Sequence, residues 1–280
     1  MQLITWNVQW CRGVDGRVDP ARIARVATGL ADFDVLCLQE VAIGFVGLPG
    51  SRGEDQAEAL AAALPGHRLF FAPATDLDAG HGCRRQFGNA ILTRLPVHQV
   101  LRHTLPWPAD PTVPSMARVA LEIVVQTQSG AVRIVTTHLE YYSARIRGAQ
   151  VVALRRLHAE ACSHAGAPRP SAEPGQPFDA VARPATAVLC GDFNFTPAMP
   201  EHAALTAPFD DDTPSLHDAW QTLHPRVPHP STVGVFDHSL PLSTWDHVFV
   251  TTDLLSRLQR IEVDGRVDAS DHQPVLLEWR

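Results

Sequence analysis

The sequence predicts an α/β protein in which two packed β-sheets are flanked by helices. Three observations carry that prediction. At least ten short β-rich runs are spread over the whole chain, helical stretches separate some of them, and no repeat or heptad pattern is present.

Leu3–Val8 is the first strand. A helix follows over Pro20–Leu30, where Asp19 can cap the free N–H groups of the first turn and proline's fixed φ suits the first helical position. Asp34–Gln39 is a short apolar run and reads as a buried strand, Glu54–Leu64 is Ala-rich and helical, and His67–Ala72 is strand-like. Asn89–Thr93, Val97–Thr104, Arg118–Gln126 and Val132–Thr137 continue the strands, with Ser129-Gly130 turning the last two into a hairpin. Ala144–His164 is the longest helix. The Pro-, Gly-, Ala- and Ser-rich segment 165–184 reads as a mobile surface loop inside one domain spanning 1–280, because strands of the same chemistry lie on both sides. Thr186–Cys190, Trp245–Val250, Leu258–Val263 and Pro274–Trp279 complete the series.

The chain has 280 residues, 45% apolar and 19% charged, with ample material for a core. A net charge of −7 counts against a protein whose main task is non-specific duplex binding, which needs many phosphate contacts. Five cysteines, widely spaced and without a Cys-x-x-Cys pair, read as buried reduced thiols. The start lacks a basic leader and no apolar run approaches ~18 residues, so a cytoplasmic monomer without a membrane span is expected.

Polar clusters recur beside apolar strands. Asn7, Glu40 and His138 end strands; Asp192 and Asn194 follow Val188-Leu189-Cys190-Gly191; Asp246 opens a strand; Asp271-His272 precedes the last one. A lone Asp or Asn at a strand end is usually a turn or cap residue. Six such sites mixing carboxylate, amide and imidazole point instead to phosphate-ester hydrolysis. Oxygen donors at Asn7, Glu40 and Asp271, with no thiolate or His triad, suit Mg²⁺ or Mn²⁺ better than zinc. Asp192 can orient or deprotonate the attacking water with Asn194 beside it. His138 and His272 can donate to phosphoryl oxygens, and Asp246 can fix the tautomer of His272.

Taken together, Thr5-Trp6-Asn7-Val8, Leu38-Gln39-Glu40-Val41, Gly88-Asn89-Ala90-Ile91-Leu92, Thr137-His138-Leu139-Glu140, Gly191-Asp192-Phe193-Asn194, Trp245-Asp246-His247-Val248 and Ser270-Asp271-His272-Gln273-Pro274-Val275 resemble the endonuclease/exonuclease/phosphatase (DNase I-like) superfamily, in its order. The motifs are most similar to the tyrosyl-DNA phosphodiesterase 2 and neutral sphingomyelinase branches. The resemblance implies a four-layer α/β sandwich with two mixed sheets. It also implies Glu40 as main metal ligand with Asn7 beside it and Asp271 nearby, Asp192 and Asn194 on the nucleophile, His138 on the phosphate, and Asp246–His272 as a hydrogen-bonded pair.

Many nucleases of this type carry Asp where this chain has Gln9, whose carbonyl can still meet a water or metal. Arg145 and Arg147, with Gln150 a turn on, read either as phosphate-recognition residues or as a solvated helix face; Arg118 reads either as a phosphate contact or as an ordinary edge charge. Asn89 joins the expected substrate contacts. Tyr141, Tyr142, Trp107, Trp220 and Phe236 either line a cleft for a ring or lipid or pack elsewhere. Segment 79–87, locally basic and Gly-containing, either overhangs the site or joins two strands. The functional expectation is a phosphodiesterase or nuclease acting on DNA, RNA or their ends. A small-molecule or lipid-headgroup phosphoesterase is the alternative, and an inactive binding protein on the same fold the third reading.

Overall fold

A computed structural model describes residues 1–167, 170, 175–179, 181–237 and 240–280. In chain order, the first half contains β1 (Gln2–Asn7), α1 (Pro20–Leu30), β2 (Val35–Ile43), α2 (Gln56–Ala63), β3 (Arg68–Gly80), β4 (Cys83–Thr93), β5 (Val97–Thr104), β6 (Val119–Thr127) and β7 (Gly130–His138). The second contains α3 (Ala144–Gly166), β8 (Ala187–Asp192), α4 (Pro200–Thr206), β9 (Leu216–Asp218), α5 (Ala219–Leu223), β10 (Asp246–Thr251), β11 (Leu258–Val263) and β12 (Val275–Trp279). Two six-stranded mixed sheets result, ordered β11-β12-β1-β2-β4-β3 and β5-β6-β7-β8-β10-β9. Only β1/β2 and β7/β8 pair in parallel; the other neighbours are antiparallel.

The layers follow from alternation along each strand. Leu3, Cys37 and Ile91 of the first sheet meet Leu121, Ile134, Cys190 and Val248 of the second in the inter-sheet core. Ile4, Trp6, Leu36 and Leu38 point the other way, against Ile23 and Ala27 of α1 and Leu60 of α2. Val135, Leu189 and Phe249 face α3 and α4 through Val151, Leu154 and Leu205. This is the expected four-layer sandwich. Asp19 caps α1 as expected, accepting the Arg22 N–H at 2.9 Å. Among the described residues, no helix is long and apolar enough to cross a membrane.

Several boundaries differ from the sequence reading. β2 runs on through Glu40 to Ile43, so Glu40 lies inside a strand rather than at its end. β3 and β4 form one long hairpin over 68–93, which makes 79–87 its tip and flank; Ala72 and 88–93 are buried in the sheet, while the distal part is largely exposed over 76–84 and shows no apolar alternation. α4, β9 and α5 span seven, three and five residues, too few to show a period. α3 continues to Gly166, and residues 168, 169, 171–174 and 180 of the expected mobile loop lie outside the described residues. Beyond them Arg183 grips Glu122 of β6 with two hydrogen bonds of 2.9 and 3.0 Å. Burial opposes that charge, yet His103, Arg183 and Arg133 hold the Glu122 carboxyl down to about 2.

Candidate active site

The polar residues cluster because period-two alternation continues past the apolar core to one end of both sheets. On β1, Leu3, Thr5 and Asn7 face the second sheet; on β7, Ile134, Thr136 and His138 face the first; on β8, Val188, Cys190 and Asp192 do so. Asp246 extends the Val248–Val250 row of β10. Parallel pairing sets His138 beside Asp192, and antiparallel pairing sets Asp246 on the other side. Just beneath, Gln39 spans the sheets, donating to Thr5 Oγ1 at 3.2 Å and Thr136 Oγ1 at 2.8 Å.

Glu40 would point away from the cleft by simple alternation after Gln39. A register shift between Leu38 and Val41, with Glu40 at φ 63°, re-aims it. β-Bulges do this at functional sites, and a non-glycine residue holds such a backbone only where its surroundings enforce it. Gly191 solves a second steric problem. A Cβ there would stand 2.0 Å from the Thr137 carbonyl oxygen, at φ 138°, so only glycine lets β8 approach β7 and deliver Asp192.

Asp192 is the meeting point. Its Oδ2 accepts from Asn7 Nδ2 at 2.9 Å and lies 3.4 Å from His138 Nε2 and 3.8 Å from His272 Nε2. Its Oδ1 accepts the Asn194 backbone N–H at 2.9 Å, and Asn194 Nδ2 donates to Leu139 O at 2.9 Å. Asn7 also donates to Glu40 Oε1 at 3.1 Å, and His138 Nδ1 stands 3.8 Å from that oxygen. The 270–272 segment docks through Ser270 Oγ on Asn7 O at 2.8 Å and Trp6 Nε1 on His272 O at 2.9 Å. His272 Nδ1 donates to Asp246 Oδ2 at 2.8 Å.

These contacts set the charges. Burial, then the Asp271 carboxylate, pushes the Glu40 carboxyl up to about 7. Burial raises Asp192 to about 6, with Asp246 adding to the rise and His272 opposing it. Burial, then the Arg118 and His272 cations, holds His138 well below the ordinary imidazole range. Burial also disfavours charge on His272, but Asp246 and Asp192 outweigh it and hold that ring well above the range. The site therefore contains a neutral and a charged imidazole.

Two groups of side chains are of metal-binding type. The ligand atoms of Asp192, Asp246 and His272 lie within 4.8 Å of one another, but there the His272 cation already balances the carboxylates. Glu40 and Asp271 differ: their direct side-chain donors are neutral, namely Asn7 Nδ2 for Glu40, and Gln9 Nε2 at 2.5 Å and Ser270 Oγ at 3.2 Å for Asp271. Partly buried carboxyl groups without a direct cationic partner, offered through oxygen, fit a hard divalent ion.

Glu40, Asn89, Arg118 and His138 line one small cleft with Phe87 and Met116. Asn89 spends an N–H on Val119 O at 2.9 Å. Arg118 is buried, and its Nε stands 3.8 Å from Glu140 Oε2; neither atom has a hydrogen-bond partner among the described residues. Arg147 corrects the sequence reading. Its guanidinium is buried against Glu201 at 3.0 Å and the carbonyls of Glu140 and Tyr141, which fixes the chain after His138 and leaves it unsuited to substrate phosphate. Gln150 is likewise spent on the Glu140 N–H and the Pro106 carbonyl, and Arg145 is exposed with Nη1 on Ala109 O. Gln9 meets Asp271 through its amide N–H, not its carbonyl. Sequence reasoning missed Thr232, whose hydroxyl accepts the backbone N–H groups of Trp245 and Asp246 at 3.1 and 3.2 Å. No short-range pattern marks it, because its partners lie 13 and 14 residues away.

The chain matches the profile of the Endonuclease/Exonuclease/phosphatase family over residues 4–272. No curated protein matches it. Solved structures share the fold: an endonuclease/exonuclease/phosphatase from Beutenbergia cavernae DSM 12333 (23% identity, 99% of this chain and 70% of that one, TM-score 0.69); the mannosyl-6-phosphatase of Bacteroides thetaiotaomicron VPI-5482 (18%, 100% and 99%, 0.67); and a humanized D. rerio TDP2 (17%, 100% and 98%, 0.65).

Proposed function

We propose that this chain, which belongs to the endonuclease/exonuclease/phosphatase family and so to a group of hydrolytic, generally divalent-metal-dependent phosphoesterases, is a Mg²⁺- or Mn²⁺-dependent phosphodiesterase acting on nucleic acid or nucleic-acid ends. The observation that carries the reading is Asp192, a buried carboxylate poised near neutrality between an amide, a neutral imidazole and a charged one.

Asp192, with a proton affinity near the working pH, accepts the proton of the attacking water, and the Asn194 backbone N–H on its other oxygen fixes its orientation. His272, kept charged by Asp246, donates from Nε2 to a phosphoryl oxygen; His138 donates from its neutral ring. Arg118 and Asn89 hold the remaining phosphate oxygens. Glu40 and Asp271, with Asn7, are the residues that would hold the divalent ion, whose chemistry is to polarise the phosphate and neutralise developing charge.

The net charge of −7 supports a second reading, a small phosphoester or lipid headgroup, since no extended basic field draws a long polyanion. The test is hydrolysis of single-stranded DNA, abasic duplex, 5′-phosphotyrosyl DNA, RNA and sphingomyelin under both metals, with Asp192→Asn as control. Hydrolysis of a nucleic-acid substrate that collapses in the variant is expected. An equally active variant would sink the role of Asp192, and exclusive cleavage of sphingomyelin would favour the second reading.

A further inference from the structure

Three aromatic side chains form a connected rim beside the charged imidazole. The Trp245 ring centre lies 6.0 Å from that of His272, Tyr141 meets Trp245 edge-on at 5.4 Å, and Tyr142 meets Tyr141 edge-on at 4.7 Å. Tyr141 and Tyr142 are 40% and 58% exposed, and Trp245 is half-buried. An edge-on contact covers at most one face of one of its two rings. Trp220, which the sequence offered for the same role, is buried instead against His224 and His229.

The backbone beneath the rim is held in place before any ligand arrives. Trp245 is pinned by its N–H on Thr232 Oγ1 and its carbonyl on the Phe193 N–H at 2.8 Å. The Tyr142 N–H is fixed on Glu140 Oε1 at 2.9 Å, and the Tyr141 carbonyl on Arg147 Nη1 at 3.0 Å. Aromatic side chains have few rotatable bonds, so an anchored aromatic surface loses little freedom on binding. The chain's charge of −7 offers no general attraction for neighbouring phosphates. Ring contact is what the rim offers to a substrate beyond the scissile phosphate.

We infer that Tyr141, Tyr142 and Trp245 form a stacking subsite for a flat ring carried by the phosphodiester next to the bond cut, so that the substrate is a short, ring-bearing diester. The inference rests on the phosphodiesterase reading above. Stacking of this kind changes affinity about tenfold per ring and tolerates any base.

The experiment compares three substrates under Mn²⁺: a dithymidine monophosphate, its counterpart with both bases replaced by hydrogen, and a phenyl ester of a baseless deoxyribose phosphate. The parent should show about a tenfold lower KM for the base-bearing diester than for the baseless one. In Tyr141→Leu and Trp245→Leu that ratio should fall to about one, and Trp245→Phe should restore part of it. The phenyl ester separates the two sources of rings: preference for it over the dinucleotide assigns the subsite to a simple aryl group, and the reverse assigns it to a base. A ratio of one in the parent, or an unchanged ratio in the leucine variants, overturns the subsite. A parent that cleaves none of the three, and none of the nucleic-acid substrates named above, refutes the phosphodiesterase reading. Quenching of tryptophan fluorescence by thymidine monophosphate, lost in Trp245→Phe, still decides the subsite then, and absence of quenching in the parent rejects it.

Discussion

The His272 imidazole stands between two carboxylates, donating from Nδ1 to Asp246 Oδ2 at 2.8 Å while Nε2 faces Asp192 Oδ2 at 3.8 Å. One carboxylate holds the ring and its charge; the other occupies the place where chemistry is proposed.

Asp246→Asn removes the charge that holds His272 protonated and keeps the volume. Turnover should fall by about 10²–10⁴-fold, the range of a general acid–base contribution. The sign of the pH effect follows from the ring. Its pKa drops when Asp246 is neutralised, so the alkaline limb of kcat/KM moves to lower pH. A pH–rate profile with an unmoved limb would refute the assignment.

Metal binding should release protons. With Glu40 raised to about 7 from 4.5, the folded metal-free protein holds a proton that the unfolded chain has lost, so between those values stability falls as pH rises. Mn²⁺ should reverse the fall, and the gap between Tm in Mn²⁺ and in EDTA should widen from pH 5 to pH 8. Glu40→Gln should raise the EDTA value at pH 8 and shrink the gap. A pH-independent gap would show that Glu40 is not the coupled group.

Arg118→Lys retains charge but loses the planar fork. We expect kcat/KM to drop about tenfold or more, with the far-ultraviolet circular dichroism of the parent. Parental kcat/KM on the best substrate would remove Arg118 from the phosphate.

Gly191→Ala forces a methyl group to within 2.0 Å of the Thr137 carbonyl oxygen at a backbone angle alanine avoids. A loss of about 3 kcal/mol or more in a urea melt is expected, since β7 or β8 must move. A midpoint within error of the parent would contradict the steric argument.

Arg183→Met removes the guanidinium that makes two hydrogen bonds to Glu122. The Glu122 carboxyl is lowered from 4.5 to about 2, so its contribution is complete above pH 4.5 and disappears as pH falls towards 2. The variant should lose about 3 kcal/mol at pH 7, as expected for breaking a buried pair, and most of that acid dependence. Parallel pH–stability curves would disprove the pairing.

Most of the strand order was written in apolar runs, and the members of the site in the polar residues beside them. Asn7, His138, Asp192 and Asp246 were legible because each continues the period-two face of a strand whose apolar members are plain. Glu40 was legible as a residue but not in its geometry, since a bulge depends on pairing with β4. Arg147 misled because a basic residue after His138 looks alike whether its partner is a phosphate or Glu201, which lies 54 residues on. The distal part of the β3–β4 hairpin was hidden by its exposure over 76–84, whereas its buried ends read as strands.

The arrangement of β12 between β11 and β1 carries a consequence for synthesis. Trp6 reaches His272 across 266 residues, and Asn7 reaches Ser270 across 263. At about 5–20 residues per second, a ribosome has the first strand waiting for tens of seconds before its partner exists. A nascent chain thus carries no hydrolytic centre until β12 has emerged and slotted beside β1. Activity in a timed translation reaction should therefore appear only after β12 has emerged.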